Sequence, residues 1–310
     1  MNPSKHPLKL DAGESVFFAR ELEYVKAKSY DVKYKQLKGL MLVPMSTEAN
    51  TGVRAITWTQ YSGVGLAKFI SDYANDFPRV DVQGQEFTVK PKGIGDSYGY
   101  SIKEIRESQY SGKRLDQRRA DFARRAIDEK MNTTVISGDA ATGLQGFINY
   151  SGITEDTVIA DGTGSSKLWS TKTPDQKVRD VTNLVNAVMN NTNGLEIPDT
   201  LLLPLVQYND IANTRMGTNT DITILKWILN NSPVIKRIEY LVELDGAGAG
   251  GTDRMMVGAF DDMHLTHEVP QPFEQFDPQQ KGMSFEIPCH AETAGVIIYY
   301  PLAFAFGDGI

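Results

Sequence analysis

The most regular alternation of apolar and polar positions lies in residues 111–135. Apolar side chains recur there every three or four residues, the spacing that brings them to one face of an α-helix. These positions are Leu115, Phe122, Ala123, Ala126, Ile127 and Met131. A helix over this range would be about 35 Å long. We therefore predict a long spine helix that organises the fold, rather than a packing element of a small globule.

The segments before the spine helix follow a different pattern. Residues 1–12 are polar and predict an extended arm, residues 14–35 show helical spacing, and residues 40–43 predict a short buried strand. Residues 51–105 alternate short strands with glycine turns, and their apolar side chains are thinly spread. A hairpin of this kind buries little by itself. We predict that it extends from its own core and is completed by a neighbouring molecule.

A glycine turn and a mixed α/β block follow the spine helix. The turn has the sequence Gly-Leu-Gln-Gly-Phe-Ile-Asn at residues 143–149. Thr173 and Pro174 form a typical N-cap and first residue of a helix. The predicted elements are a helix from there to about residue 190, a strand at 200–203, helices at 204–216 and 222–229, strands at 234–244, 255–260 and 263–269, and closing strands at 284–287 and 293–306. Residues 151–170, 244–253 and 270–282 are predicted as loops.

Length and charge limit the class of protein. The 310 residues suffice for two modest domains, or for one core with large excursions. A net charge of −7 argues against a dedicated nucleic-acid-binding domain, which would carry a basic face. Cys289 is the only cysteine, so an intramolecular disulfide is excluded and a reducing compartment is indicated. The sequence shows neither a secretory signal nor an apolar run long enough to span a membrane, so we expect synthesis in the cytoplasm.

Residues that could carry chemistry form no convincing constellation. His264 and His267 with Cys289 and His290 suggest a zinc site, but residues three apart on a strand point to opposite faces. The glycines of residues 62–65 and 246–251 match no phosphate-binding loop. We predict no catalytic, cofactor or metal site. A soluble α/β enzyme built on residues 171–243 stays open as an alternative, without a motif in its favour.

Arginines flank the apolar stripe of the spine helix. Arg118, Arg119 and Arg125 are candidate contacts to the phosphates of an enclosed nucleic acid. The alternative is ion pairing along the helix with acidic residues three or four positions away, such as Asp121, Asp128 and Glu129. We favour the ion pairs, because the helix balances its own charge.

The order of these elements resembles the Hong Kong 97-type (HK97-like) fold of tailed-phage major capsid proteins, which encapsulin nanocompartments share. Residues 143–149 resemble the short segment that follows the spine helix in that family. Residues 232–265, with their Gly-Ala-Phe-Asp step at 258–261, resemble its passage back from the axial domain. The resemblance implies an α+β fold with an N-terminal arm, an extended E-loop hairpin, a P-domain with the spine helix and a mixed α/β A-domain.

The resemblance also implies domain ranges and contact residues. The expected ranges are an arm and helix at 1–50, the E-loop at 51–105, the P-domain at 106–150, the A-domain at 151–250 and the returning strands at 251–310. The E-loop candidates for contact between subunits are Trp58, Tyr61, Phe69, Tyr73, Phe77 and Tyr98. The candidates for the axial loop of the A-domain are Met216, Gly217 and Asn219. Lys68 is a candidate for a covalent crosslink by its location in the E-loop only.

The function implied is that of a structural subunit. It would assemble in the host cytoplasm into hexamers and pentamers of an icosahedral shell that encloses the double-stranded DNA of a tailed bacteriophage. Its partners would be itself, the packaged DNA, and scaffolding, portal and decoration proteins, with no membrane. The arm before the first helix is short, which favours a separate scaffolding protein or none. An encapsulin-type compartment around a cargo enzyme stays open as an alternative.

Overall fold

The computed structural model describes residues 34–64, 69, 79–111 and 118–310. The chain divides into two units, residues 1–36 and 37–310, and the fold reported is that of the second. Its helices are α1 (Lys38–Leu42), α2 (Ile102–Ser111), α3 (Arg118–Ser137), α4 (Pro174–Asn191), α5 (Leu205–Asn213) and α6 (Ile224–Asn231). Short 3-10 helices lie at Phe147–Asn149, Trp169–Thr171, Val242–Leu244, Ala249–Gly251 and Pro301–Ala303. Within these described ranges, no helix combines the length and apolarity needed to cross a bilayer.

The strands form three larger sheets and two hairpins. They are β1 (Met45–Ser46), β2 (Ile56–Val64), β3 (Asp81–Val89), β4 (Lys92–Ser101), β5 (Gly138–Asp139), β6 (Leu144–Gln145), β7 (Thr154–Thr157), β8 (Thr200–Leu203), β9 (Arg237–Tyr240), β10 (Arg254–Gly258), β11 (Leu265–Glu268), β12 (Gln271–Gln275), β13 (Gln279–Lys281), β14 (Ser284–Thr293), β15 (Gly295–Ile298) and β16 (Ala305–Asp308). β1, β11 and β15 form a three-stranded sheet. The hairpins are β2–β3 and β5–β6.

The spine helix α3 lies on a four-stranded sheet. In that sheet β14 pairs with β4 along one edge, from Ser284 opposite Ser101 to Thr293 opposite Lys92, and with β12 and β13 along the other. The helix buries Ala123, Ile127 and Met131 in a cluster with Val269, Cys289 and Ala291. Ala123, Ile127 and Met131 of the predicted apolar stripe therefore pack on this sheet, whereas Phe122 and Ala126 are exposed and Leu115 lies outside the described residues.

Two glycines make the turn after the spine helix possible. Gly138 has a φ of 74°, a conformation that side chains with a Cβ rarely adopt. A Cβ on Gly146 would lie 2.2 Å from the carbonyl oxygen of Ile136. The chain therefore folds back closely enough for Phe147 to enter the core beside Val135 and Ile136. The predicted turn at residues 143–149 is present for this reason.

A five-stranded mixed sheet, in the order β7-β16-β10-β8-β9, forms the centre of the α/β block. Its inner strands β16, β10 and β8 are buried on both faces, and Thr200 is followed in β8 by three fully buried leucines. Leu201 and Leu203 join one core with Val181, Leu184 and Val188 of α4. Leu202 belongs instead to the core that contains Phe147 and Val135 of the turn and the spine helix. One sheet thus separates two cores.

The N-terminus of α4 matches the prediction. The hydroxyl of Thr173 accepts a hydrogen bond from the backbone N–H of Gln176 at 3.4 Å, and the Gln176 side chain accepts one from the Thr173 N–H at 2.7 Å. Pro174 takes the first helical position. This capping box satisfies two backbone donors that a helix start leaves free.

A buried ion pair connects the inner strands β10 and β16 of the five-stranded sheet with the glycine turn. The Arg254 guanidinium donates from Nε and Nη2 to the two carboxylate oxygens of Asp308, at 2.7 and 2.9 Å. Its Nη1 donates to the carbonyl of Ile148 at 3.0 Å. Burial disfavours the charge on Arg254, but the hydrogen bonds and the negative charge of Asp308 outweigh burial and raise its pKa.

Several sequence predictions are wrong in detail. Residues 40–43 were predicted as a strand, but residues 38–42 form α1, whose Gly39 N–H donates to the side chain of Asn132 at 2.8 Å. A short apolar run does not distinguish a strand from a buried helical turn. The described part of the spine helix spans Arg118–Ser137, and α2 spans Ile102–Ser111; residues 112–117 of the predicted spine helix lie outside the described residues. The predicted arm at 1–12 and helix at 14–35 lie outside the described residues.

Pairing partners distant in sequence explain the remaining differences. Residues 270–282 were predicted as a loop, but β12 and β13 form there because β14 provides an edge for both. The strand predicted at 234–244 is confined to Arg237–Tyr240, and the one at 263–269 to Leu265–Glu268. The closing strand at 293–306 is divided by the 3-10 helix Pro301–Ala303, and residues 151–170 contain β7.

We expect Arg254→Met to lower the free energy of unfolding by about 3–5 kcal/mol, because it leaves the buried Asp308 carboxylate unpaired. Urea unfolding of the unassembled subunit measures this. The control is Arg237→Met at the exposed start of β9, which should change the value by no more than about 0.5 kcal/mol. Equal effects of the two substitutions would contradict the assigned role of Arg254.

Candidate inter-subunit surfaces

The β2–β3 hairpin is the most exposed part of the described fold. Its strands are nine residues each and pair in register from Ile56 opposite Val89 to Val64 opposite Asp81. Tyr61 is 76% exposed, Val82 is 60% exposed and Phe69 is fully exposed. These side chains have the composition of an interface rather than of a solvated loop. Tyr73 and Phe77, predicted for the same surface, lie outside the described residues.

The base of the hairpin is fixed within its own chain. The Trp58 ring stacks on Phe87 with 5.6 Å between centroids and meets the edge of Tyr299 at 6.1 Å. The Gln60 side chain donates to the carbonyl of Tyr299. Trp58 is therefore half-buried against its own subunit. Its first role in this structure is to anchor the hairpin.

The prediction that Tyr98 lies on the hairpin is wrong. Tyr98 is on β4, opposite Ile287 of β14, and it packs against the cluster under the spine helix. Burial, with the nearby Cys289 and Tyr100, raises the pKa of its hydroxyl. The sequence could not show this, because β4 follows the hairpin directly but pairs with a strand almost 190 residues later.

A cleft of about 970 Å³ separates the hairpin from the body of the subunit. Gln60, Gln83 and Gln85 line the hairpin side. The body side carries exposed apolar side chains, which are Leu195, Met263, Tyr300 and Leu302. Apolar residues gathered along one cleft are typical of a contact surface.

The predicted axial loop forms a closed turn between α5 and α6. The N–H of Met216 donates to the carbonyl of Ile222 at 3.0 Å, and Arg215 pairs with Asp221 at 3.4 Å. Gly217 and Asn219 are exposed at its tip. Met216 is half-buried and packs against the core of the α/β block, so the loop presents its tip rather than this side chain.

Two of the three candidate arginines are held by carboxylates. Arg119 binds Glu104 of α2 at 2.8 Å and lies over the Tyr100 ring at 4.8 Å. Hydrogen bonds from Arg119 and from the Ser101 N–H lower the pKa of Glu104 to about 2. Arg125 binds Glu129, four residues on, at 2.8 Å. Arg118 is exposed. Arg125 forms the ion pair along the helix that the sequence predicted, whereas Arg119 pairs with an acidic residue of α2 instead.

The histidines considered for a zinc site have separate hydrogen-bond partners. His267 is buried, its Nε2 is 2.9 Å from the Thr293 hydroxyl, and burial lowers its pKa to about 4. His264 is bound by two carboxylates, with Nε2 at 2.7 Å from Glu196 and Nδ1 against Asp261. Among the residues that the structure describes, no three His, Cys, Asp or Glu side chains gather as metal ligands do.

Buried ion pairs are the functional groups that sequence reasoning missed. Besides Arg254 and Asp308, Lys172 binds Asp180 at 2.6 Å, and Asp180 also accepts from the Trp169 indole at 3.0 Å. The sequence contained an indication of the Arg254–Asp308 pair. Arg254 and Asp308 are single charges at the ends of otherwise apolar strands, where burial demands an opposite charge. Only the fold reveals which charges meet.

Most of the sequence matches one family. Residues 65–310 match the family described as major capsid protein. The chain belongs to the major capsid protein family. This is a family of structural proteins of the viral shell, not a class of enzymes. None of the curated protein sequences matches the chain.

Solved structures share the fold of this capsid protein at low sequence identity. The capsid of the Myoviridae phage XM1 is 16% identical with a TM-score of 0.77, over 94% of this chain and 98% of that one. The capsid of a native GTA particle is 11% identical with a TM-score of 0.66, over 96% and 99%. A virus-like particle from Pyrococcus furiosus is 14% identical with a TM-score of 0.50, over 87% and 93%. The predicted HK97-like α+β fold is confirmed.

In this capsid protein we expect His264→Gln to destabilise the subunit by about 1–2 kcal/mol at low pH and by less at high pH. Burial disfavours the imidazolium, but hydrogen bonds to Asp261 and Glu196 outweigh burial and raise the pKa of His264. The stabilisation by a raised histidine pKa is complete below the unfolded value of about 6.5 and is lost as pH rises through the folded value.

Urea unfolding of wild type and His264→Gln from about pH 6 to about pH 9 measures the difference in their free energies of unfolding. Glu196→Gln keeps a hydrogen-bond acceptor but removes one charge, so its pH dependence should be intermediate. If the difference in the free energy of unfolding between wild type and His264→Gln grew with pH, His264 would not be stabilised as an imidazolium in the folded protein.

Proposed function

We propose that this major capsid protein is the shell subunit of a tailed bacteriophage and self-assembles into hexamers and pentamers of an icosahedral capsid around double-stranded DNA. One observation carries the proposal. The β2–β3 hairpin leaves the body of the subunit as only two strands and exposes large apolar side chains at Tyr61 and Val82. Two strands alone are marginally stable in water, so a neighbouring subunit is the natural cover.

The symmetry of the contact follows from its shape. The hairpin of one subunit and the surface that receives it on the next are different patches, which makes the contact heterologous. Heterologous contacts repeat around an axis and close into rings when the rotation per subunit allows it. The compact loop at Gly217 and Asn219 is our candidate for the surface that faces the ring axis. Rings of six and five subunits with this geometry would tile a closed shell.

The remaining partners of the shell are part of the proposal. Scaffolding, portal and decoration proteins are expected from the family resemblance, as is assembly in the host cytoplasm. Contact with DNA would be weak and independent of sequence, because the subunit has a net charge of −7 and two of the three candidate arginines bind carboxylates.

Electron microscopy of the purified protein, with light scattering, tests the proposal. We expect closed shells, or rings of six and five subunits. Particles from the native source that contain a genome and a portal would support the phage capsid, whereas a cargo enzyme with a docking peptide would favour a compartment. A subunit that stays monomeric with its fold intact, alone and with a scaffolding protein, would overturn self-assembly.

We expect Val82→Lys to lower the yield of shells by at least about tenfold, while the thermal unfolding of the isolated subunit is unchanged. The residue is exposed in the subunit, so a charge there costs little until a neighbour covers it. The matched control Val82→Ile keeps the apolar surface and should assemble normally. Shell yield by sedimentation and subunit melting by circular dichroism separate the two effects. Normal assembly of Val82→Lys would exclude this strand from the contact.

A further inference from the structure

The α/β block carries an apolar pocket that its own described residues leave open. The pocket lies between helices α4 and α6 and has a volume of about 360 Å³. Most of its lining is apolar, with Val178, Val185, Met189, Trp227, Val234 and Ile235 among the lining residues. Preformed concave sites with an apolar lining are the usual form of a binding site. We call this site the α4–α6 pocket.

An exposed apolar patch lies at the opposite end of two strands of the same block. β8 and β9 are parallel, with Leu203 opposite Tyr240, so the residues that follow them emerge at one end of the sheet. Val234 and Ile235 of the pocket precede β9 and lie at the other end, about 13 Å away along the strands. Val206 is 70% exposed. The apolar patch consists of the exposed side chains of Leu205, Val206 and Val242.

Two carboxyl groups border the apolar patch. Gln207, next to Val206 in α5, donates to the Asp253 carboxylate at 2.5 Å. Asp253 also accepts from the N–H of Gly246 at 3.0 Å, which holds the loop after β9 against the start of α5. A hydrogen bond to Asp253, the negative charge of Asp253 and burial raise the pKa of Asp245. Two carboxyl groups this close favour a cation beside them.

The basic residues that the structure places near these carboxyl groups are already paired. Lys38 binds Glu239 at 3.3 Å. Arg254 binds Asp308 at 2.7 Å and Glu155 at 3.1 Å. The exposed charge beside the apolar patch is therefore negative.

The exposed charges around the α4–α6 pocket have the opposite sign. Among the described residues within three positions of a lining residue, the exposed charged side chains other than Asp175 are basic, namely Arg179, Lys226, Lys236 and Arg237. Arg179 is bound by Asp161. Lys236 and Arg237 directly follow Ile235 of the lining. The rim of the pocket is therefore mainly basic, whereas the border of the patch is acidic.

Pocket and patch are complementary in apolar surface and in local charge, and one chain carries both. They lie at opposite ends of β8 and β9, so a subunit cannot close this contact with itself. A second copy placed end to end can close it, and the contact then repeats from copy to copy as a heterologous contact does. Opposite charges around an apolar centre fix the register of such a contact.

We propose that the apolar patch of one subunit enters the α4–α6 pocket of a second copy of this chain. Around this apolar centre, Asp245 of one copy faces Lys236 and Arg237 of the next. The contact rests on the proposed self-assembly, and it adds to the hairpin a second surface that joins neighbouring subunits.

Cysteines placed on both surfaces test the contact directly. Val206→Cys with Thr182→Cys puts one thiol on the patch and one at the pocket of each subunit, and both positions are exposed. Assembled protein is treated with a short bismaleimide and separated on a denaturing gel. We expect a ladder of covalent oligomers beyond the dimer, because every subunit contributes both ends. Either substitution alone should give no ladder, and the native Cys289 is buried.

A charge exchange gives a second readout. We expect Lys236→Glu to lower the yield of shells at low salt by at least about threefold, through repulsion by Asp245. Adding Asp245→Lys should return the yield to within about twofold of wild type, because the pair is restored with its signs exchanged. The matched control adds Asp277→Lys instead, at an exposed site on the β12–β13 loop, and has the same net charge. It should not restore assembly. Sedimentation measures the yield, and circular dichroism checks that the subunits melt as wild type does.

The possible failures are distinguishable. Wild-type shells without a ladder from the protein with both cysteines would exclude this contact, leave the pocket to another occupant and leave the shell proposal intact. Covalent dimers from Val206→Cys alone would show that two patches meet face to face, which also overturns the contact. Equal rescue by Asp245→Lys and Asp277→Lys would exclude the charge pairing. A wild type that never assembles would reject self-assembly and this contact with it.

Discussion

The Arg254 guanidinium of β10 holds three other segments of the chain together. It binds Asp308 on the last strand, Ile148 in the turn after the spine helix and Glu155 on β7, at 2.7 to 3.1 Å. Asp308 in turn accepts from the Ala249 N–H of the glycine loop at 2.8 Å. A buried pair gains little over apolar packing, but an unpaired buried charge is costly. The arrangement therefore favours this one assembly of the segments over alternatives.

The body of the subunit buries its apolar side chains in closed cores, whereas the hairpin leaves several of its own exposed. The two cores on either side of the five-stranded sheet are tightly closed, with Leu201, Leu202 and Phe306 fully buried. The hairpin, by contrast, has half-buried side chains only near its base, where Trp58 and Phe87 stack. Under the proposed assembly a neighbouring subunit would cover this surface, and the conformation of the hairpin would then be coupled to the concentration of subunits.

Local signals predicted the parts of the fold that local physics determines. The stripe of Ala123, Ile127 and Met131 follows from helix geometry, the start of α4 from the capping box at Thr173, and the turn from glycines that leave no room for a Cβ. The hairpin strands β2 and β3 were found because their alternation and glycines are local too. The domain ranges beyond these elements stay predictions.

Long-range pairing determined what the sequence could not show. Residues 270–282 carry prolines and glutamines typical of a loop, yet they form strands because β14 lies beside them. Tyr98 and Arg119 looked like surface contacts until β4 paired with β14 and Glu104 came within 2.8 Å of the guanidinium. Trp58 contacts its own subunit's Tyr299, which the sequence did not show, and its predicted contact with a neighbouring subunit stays a prediction. In each case the missing fact was the identity of a partner far away in the chain.

The central sheet also connects the two cores mechanically. Its strands place successive residues in different cores, with Leu202 and Met256 on one side and Leu201, Met255 and Val257 on the other. Close-packed cores are stiff and transmit strain instead of absorbing it. A load applied to the spine helix and its turn would therefore reach α4 and the loop at residues 216–222 through single strands. The sheet therefore couples the two cores mechanically, so that a deformation of one core is transmitted to the other.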